Sequence, residues 1–318
     1  MKPLVTMITY CYNGERFIAK YFEAILAQTY SNMELIFFNN GSEDRTGEIA
    51  ESYRSALTEK GIQVNIIHFK ENQSTCQLKQ QAFQMMKGDY FFGCDSDDLI
   101  DPGYVEEMSS YLVEHPEKGI VYCQLRIVEE ETGKVKSIMK MVPRTEPKAA
   151  FMDILRGDNI NFTAISYMMS RKHFERINPS KSIFISRFGE NYQVQIPFLY
   201  HDLQGYIEKT LGQYTVRRDS YTGTFTLEKK YVAFKGQELA VMATLDQIQA
   251  EEQYKQFYLA RERRERYYVA LALGDKQKVE ETRRELEEIR PLTGKERISH
   301  TLFKLQLFSL VMKIKEAK

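Results

Sequence analysis

The sequence predicts an α/β protein: a mainly parallel sheet with helices on both faces, followed by an all-helical C-terminal appendage. Three observations predict it. Strand-length apolar runs alternate with helix-period segments three times before a fourth strand. The strand-to-helix junctions carry Asn, Gly, Ser and Asp, which suit loops. From residue 229 proline nearly vanishes, and Glu, Lys, Arg, Gln, Ala and Leu dominate. The expected organisation is a sheet domain over 1–228 and a helical region over 229–318.

In chain order, residues 4–9 form the first strand. Tyr10-Cys11-Tyr12-Asn13-Gly14-Glu15 then lead into a helix with Ile18, Phe22, Ile25 and Leu26 on one face. Residues 34–38 are the second strand, Asn39-Asn40-Gly41-Ser42 its loop, and the helix after it stops at Gly61. A third unit has strand 64–69 and helix 75–86, closed by Gly88. Strand 90–94 ends in Asp95-Ser96-Asp97-Asp98, and Pro102 opens the helix to residue 114. Residues 119–128 and 134–139 form a hairpin around Thr132-Gly133. A helix over 149–156 ends at Gly157, 160–169 reads as a strand, and Gly189-Glu190-Asn191 opens another helix. A last strand, 206–217, ends in Arg217-Arg218-Asp219-Ser220. Helices 235–252, 254–273, 275–289 and 295–316 complete the chain. Glu262 with Arg266 and Glu280 with Arg284 support them at helical spacing. The sign-alternating stretch 261–266 reads as a solvated helix face.

Composition narrows the function. Of the residues, 43% are hydrophobic and 28% charged, and 44 basic residues balance 44 acidic ones. That balance offers no footprint for a nucleic-acid partner, so any attraction for anions is local. Cys11, Cys76, Cys94 and Cys123 have neither CxxC nor zinc-ligand spacing, as expected of thiols in a reducing compartment. Residues 1–10 are too short and too soon polar for a signal peptide, and no run of about 18 apolar residues suggests a span. The expected location is cytoplasmic, including the inner face of the plasma membrane. The first loop has one glycine and lacks GxGxxG, which disfavours a dinucleotide-dependent oxidoreductase, and it is too poor in glycine and basic residues for a sugar-nucleotide pyrophosphorylase.

The acidic cluster is where chemistry concentrates. Carboxylates crowded at a strand end repel one another unless a cation lies among them. Mg²⁺ and Mn²⁺, held by one or two carboxylates and by phosphate oxygens, meet that need. The competing reading is a solvated turn whose aspartates cap the next helix. In an open α/β sheet, the loops 10–13, 39–42 and 95–98 all fall at the carboxyl edge, where ligands bind.

The order of these motifs resembles the family 2 glycosyltransferases of GT-A fold. The resemblance covers residues 3–220 and rests on Ile8 to Glu15, Asn39-Asn40-Gly41-Ser42, Asn72 to Gln80, Asp95 to Asp98 and Gly189-Glu190-Asn191. It implies an inverting, metal-dependent hexosyltransferase using a UDP-sugar donor and a lipid-linked or protein-linked glycan acceptor in capsule, exopolysaccharide or glycoprotein assembly. Carried over, Tyr10 or Tyr12 would stack on the donor base and Asn39 contact its edge, with Cys11 and Ser96 in the same donor loops. Lys79 would lie near base or phosphates, Asp95 would hold ribose or sugar, Asp97 would bind the metal and Asp98 support it. Two departures stand out: Asn39 and Asn191 replace family aspartates. An amide accepts hydrogen bonds but not protons, so Asn191 is excluded as general base. Glu190 is the expected substitute, and Asp158 in the Arg156–Asn159 turn is the alternative. The same departures motivate a rival function, a catalytically weakened nucleotide-sugar or glycan binder acting as an assembly partner.

The last helix combines Ile298, Leu302, Phe303, Leu305, Leu307 and Phe308 with Lys295, Arg297 and Lys304. A helix this apolar needs a cover: the protein itself, a second copy in a homodimer, or an anionic membrane surface touching 295–316.

Overall fold

The computed structural model describes residues 2–217 and 226–308. Two compact units account for them, one comprising 2–185 with 190–217 and the other 186–189 with 226–308.

In the first unit the elements follow in order as β1 (Val5–Cys11), α1 (Ile18–Leu26), β2 (Met33–Asn40), α2 (Thr46–Ser52), α3 (Arg54–Glu59), β3 (Gln63–Phe69), α4 (Thr75–Met85) and β4 (Tyr90–Gly93). Then come β5 (Leu99–Ile100), α5 (Tyr104–Glu114), β6 (Ile120–Glu129), β7 (Val135–Met139), α6 (Ala149–Arg156), β8 (Tyr167–Ser170), α7 (Arg171–Ile177), α8 (Glu190–Tyr200) and β9 (Gln204–Val216). One sheet runs β3-β2-β1-β4-β8-β6-β9-β5, with β7 on β6. The β3-β2-β1-β4 half is parallel, as the alternating units require. β8 runs against both neighbours, while β6 and β9 are parallel to each other.

The pleat divides the apolar residues between two faces. Met7, Leu35, Phe37 and Phe92 pack under Ile18, Tyr21, Phe22 and Ile25 of α1 and Met108 and Leu112 of α5. On the other face Phe91 meets Phe83 of α4 and Phe174 of α7, with ring centroids 5.8 and 5.3 Å away. β2 is buried along its whole length, as expected of a strand covered on both sides.

Several expectations are corrected. The helix after Pro102 starts at Tyr104, because Leu99–Ile100 first pairs with β9. The 160–169 strand is a 3-10 turn, Ala164–Ser166, followed by β8. The single helix before Gly61 is two, broken at Tyr53.

The second unit holds α9 (Leu227–Gln247), α10 (Glu252–Leu273), α11 (Lys276–Glu287) and α12 (Gly294–Lys304) around Tyr231, Tyr267, Leu271, Val279 and Phe308. α9 begins eight residues before the expected 235, with Thr226 accepting a hydrogen bond from the Lys229 amide as its cap. α12 ends at Lys304, and Gln306 takes a left-handed φ of 59°, so the expected continuous helix stops there. Its 309–316 portion, like Arg218-Asp219-Ser220, lies outside the described residues. The 261–266 stretch is no solvated face. Glu262 is 0% and Arg266 2% exposed, and Arg266 turns to Glu238 and Glu285. Glu280 pairs with Arg283 rather than Arg284.

Candidate functional site

The carboxyl ends of β1, β2 and β3 are stitched together by their loops. Asn13 N–H donates to Ser42 Oγ (3.0 Å) and Gly14 N–H to Thr46 Oγ1 (2.7 Å), while Asn13 Oδ1 accepts from Glu43 N–H (2.9 Å). Asn40 uses both ends of its amide on the Gln73 backbone, at 3.0 and 2.8 Å. Gly41 is required at this seam. Its φ is +74°, and a Cβ there would come within 2.7 Å of the Asn72 amide nitrogen. The loops thus form a fixed rim.

Behind the rim lies an open cleft, lined among others by Tyr10, Lys79, Asp95, Tyr167, Glu190 and Asn191. Tyr10 lies at the end of β1, one ring face stacked on Phe38 (5.7 Å between centroids). Lys79 projects from α4, which starts in a capping box between Ser74 and Gln77. Glu190 stands in the first turn of α8, where the helix dipole favours a carboxylate. Asn191 is held on three sides: its Oδ1 accepts from Lys79 Nζ (2.8 Å) and Tyr167 Oη (3.3 Å), and its Nδ2 donates to the Phe162 carbonyl (2.9 Å). An aspartate could not make the third bond, because a carboxylate oxygen would face a carbonyl oxygen. The local partners therefore select the amide.

The acidic loop is gripped between β4 and β9. Leu99 pairs with Gln213 and Ile100 with Gly212, antiparallel, so Thr215 to Arg217 run back alongside Asp98 and Asp97. Thr215 N–H donates to Asp98 Oδ1 (3.0 Å), and Arg217 Nη2 lies 3.0 Å from Asp97 Oδ2. Asp98 is 1% exposed, and its Oδ2 has no hydrogen-bond partner. Burial, then Asp95 and Asp97, push its carboxyl well above the usual range, against the Thr215 amide and Arg217. Asp95 presents surface to solvent, yet the crowding protein around its carboxyl, with Asp97 next, raises it to about 6; Lys79 opposes the rise and Glu190 adds to it. Asp101, by contrast, is fully matched by a bidentate Arg126 at 2.9 and 2.5 Å.

A divalent cation suits this arrangement. Asp98 keeps an orphaned oxygen, the Asp95 and Asp98 carboxyls are raised by burial first and by neighbouring carboxylates second, and carboxylate oxygens are the hard donors that Mg²⁺ and Mn²⁺ take. Among the described residues no group of three His, Cys, Asp or Glu forms a ready cage. Asp97 and Asp98 would hold the ion, with phosphate oxygens completing its shell.

The other expected site residues divide. Ser96 is buried in the acidic loop. Asn39 is 7% exposed, its amide facing His68 Nδ1 (3.0 Å) and the Ser42 N–H (3.4 Å). Cys11 is buried under the first turn, where burial pushes its thiol up to about 11. Tyr12 is 49% exposed and does not line the cleft. Asp158 is exposed on the turn after α6 and does not line it either. Sequence reasoning missed Tyr167 and Arg217. A basic residue at the carboxyl end of a sheet strand was the available signal for Arg217.

The fold is an open α/β sheet with an acidic loop at its carboxyl edge, the edge where such sheets bind their ligands. The chain belongs to glycosyl transferase family 2, which it matches over residues 6–177. It is 30% identical to the putative glycosyltransferase EpsH of Bacillus subtilis over 154 residues, 48% of this chain and 43% of that protein. The chain spans about two fifths of the length of such curated relatives. Its fold is GT-A. The S. aureus TarS 1-349 structure holding UDP-GlcNAc superposes with a TM-score of 0.69 at 15% identity, covering 97% of this chain and 88% of that one. A Pyrobaculum calidifontis mannosyltransferase, PcManGT, holding GDP-Man and Mn²⁺, gives 0.52 at 14% identity over 100% and 89%. Among the described residues no helix is long and apolar enough to cross a membrane.

Proposed function

We propose that the protein is an inverting glycosyltransferase that moves a hexose from a UDP-sugar to a hydroxyl of a growing glycan. The observation that carries this reading is the carboxylate loop Asp95 to Asp98 in a family 2 chain, with Asp95 lining a cleft beside Glu190 and Asp98 keeping an unpartnered oxygen. Tyr10 and the rim loops would take the nucleoside, and Asp95 the ribose or sugar. Bound Mn²⁺ or Mg²⁺ would supply charge neutralisation at the leaving diphosphate. Glu190 would accept the acceptor's proton as its oxygen attacks the anomeric carbon and the bond to the phosphate oxygen breaks, its electron pair leaving on UDP. Residues 140–200 would shape the acceptor pocket for a lipid-linked or protein-linked glycan.

Glu190 is favoured over Asp158 because it shares the cleft with Asp95. The reaction fits the cytoplasmic side of a membrane. Ile298, Leu305 and Leu307 are exposed beside the exposed Arg297 and Lys304, leaving a face for a second copy or an anionic bilayer. UDP release from a panel of UDP-sugars with Mn²⁺ and glycan acceptors tests the reading: metal-dependent release with at least one donor is expected.

The rival is a binding homologue without turnover, favoured by the amide fixed at position 191. Binding of UDP-sugar with no release from any donor would establish it.

A further inference from the structure

Arg217 belongs to none of the motifs, yet it stands where a cation is wanted. Its guanidinium lies 3.0 Å from Asp97 Oδ2, and its carbon centre is 4.8 Å from the Phe17 ring centroid. The side chains of Arg217 and Asp97 are 18% and 21% exposed, so the pair is largely removed from water but still open to small ions. The guanidinium is incompletely used, since Nε is buried with no hydrogen-bond partner. Immediately beside it, Asp98 keeps an unpartnered oxygen.

These contacts set up a competition. An arginine and a divalent ion on the same carboxylate repel each other, so the ion's arrival at Asp97 displaces the guanidinium. A diphosphate brought in with the ion offers oxygens whose spacing suits the planar donor fork. Phe17 keeps the displaced side chain local, because the cation–π contact does not depend on Asp97.

We propose that Arg217 is a resident counter-cation of the site: it holds Asp97 while no metal is bound, yields Asp97 to the divalent ion, and transfers its guanidinium to the donor's diphosphate. The proposal rests on the metal and nucleotide reading above. It predicts effects of opposite sign on the two ligands, which a merely structural arginine would not produce.

Calorimetric titration of Mn²⁺ alone, and then of UDP at saturating Mn²⁺, tests it on wild-type protein, Arg217→Met and Arg217→Lys. The Met variant keeps an unbranched stem against Phe17 and loses the charge. It should bind Mn²⁺ about tenfold more tightly and UDP about tenfold more weakly, each about 1.4 kcal/mol. The Lys variant should shift both affinities in the same directions by less, and it carries the test if the Met variant does not fold. Wild-type protein that binds both ligands, with Mn²⁺ affinity unchanged or weakened in the variants, would overturn the inference alone. Wild-type protein that binds neither would overturn the reading of the site and the inference together.

Discussion

Two groups of crowded carboxylates in this molecule are treated in opposite ways. In the helical unit, Glu238, Glu262 and Glu285 are surrounded by arginines. Arg263 Nε donates to Glu238 Oε1 (3.2 Å), Arg261 reaches Glu262 (3.0 Å), and Arg266 lies against both Glu238 and Glu285. The Arg266–Glu238 contact, at 3.1 Å, is close in distance but not aligned as a hydrogen bond, since Glu238 Oε2 lacks a partner of that kind. In the sheet unit, Asp95, Asp97 and Asp98 meet Arg217 at one carboxylate and the field of Lys79 at another. In the first group every glutamate has an arginine within reach, although Glu262 and Glu238 each keep an oxygen without a hydrogen-bond partner. In the second, Asp98 keeps such an oxygen and Asp95 lines a cleft shared with Lys79 and Glu190. Crowded carboxylates that open onto a cleft, rather than acidity itself, distinguish a place for a ligand.

That contrast can be broken at either end. The largest effect is expected at the cleft. Glu190→Gln keeps shape and hydrogen bonding but cannot take a proton, and should lower turnover about 10²- to 10⁴-fold while leaving UDP affinity nearly intact. Steady-state UDP release and UDP titration read the two separately, and full turnover would move the base elsewhere.

Next comes the network. Arg266→Met removes the cation between Glu238 and Glu285 and strands buried charge, at an expected cost of about 3–5 kcal/mol in a denaturant melt. A neutral result would mean that Arg266 does not offset these glutamates.

Asn191→Asp sharpens the comparison within the cleft. One new oxygen would oppose the Phe162 carbonyl while Lys79 gains a charged partner, so a net loss of about 1 kcal/mol is expected from thermal melts, with no gain in turnover.

The last effect is a pH dependence in the helical unit. Burial raises the Glu262 carboxyl to about 8 from an ordinary 4.5, with Arg261 the largest opposing influence. The folded state therefore keeps a proton that the unfolded chain loses, and stability falls as pH rises between those values. Glu262→Gln cannot ionise, so its melting temperature should gain on wild type across that window and level off above pH 8. A constant difference from pH 4.5 to 9 would contradict the burial of this carboxyl.

Much of the sheet was legible because strand and helix periods differ and the first four strands follow strict alternation. β5 was not, since two residues carry no period; its pairing with β9 is what delivers Thr215 and Arg217 to the acidic loop. The candidate carboxylates Asp95, Asp97, Asp98 and Glu190 could be named from motif order. The reason position 191 carries an amide could not, because its partners Lys79, Phe162 and Tyr167 come from distant parts of the chain. In the tail, opposite charges at helical spacing look the same whether solvated or buried. Arg266 was misread for that reason.

Manganese EPR with and without UDP tests the carboxylate loop as a metal and nucleotide site most directly. UDP should strengthen Mn²⁺ binding by wild-type protein, because phosphate oxygens complete the ion's shell, and Asp97→Asn should lose that gain. Mn²⁺ binding indifferent to UDP, or an Asp97→Asn protein that behaves as wild type, would contradict it.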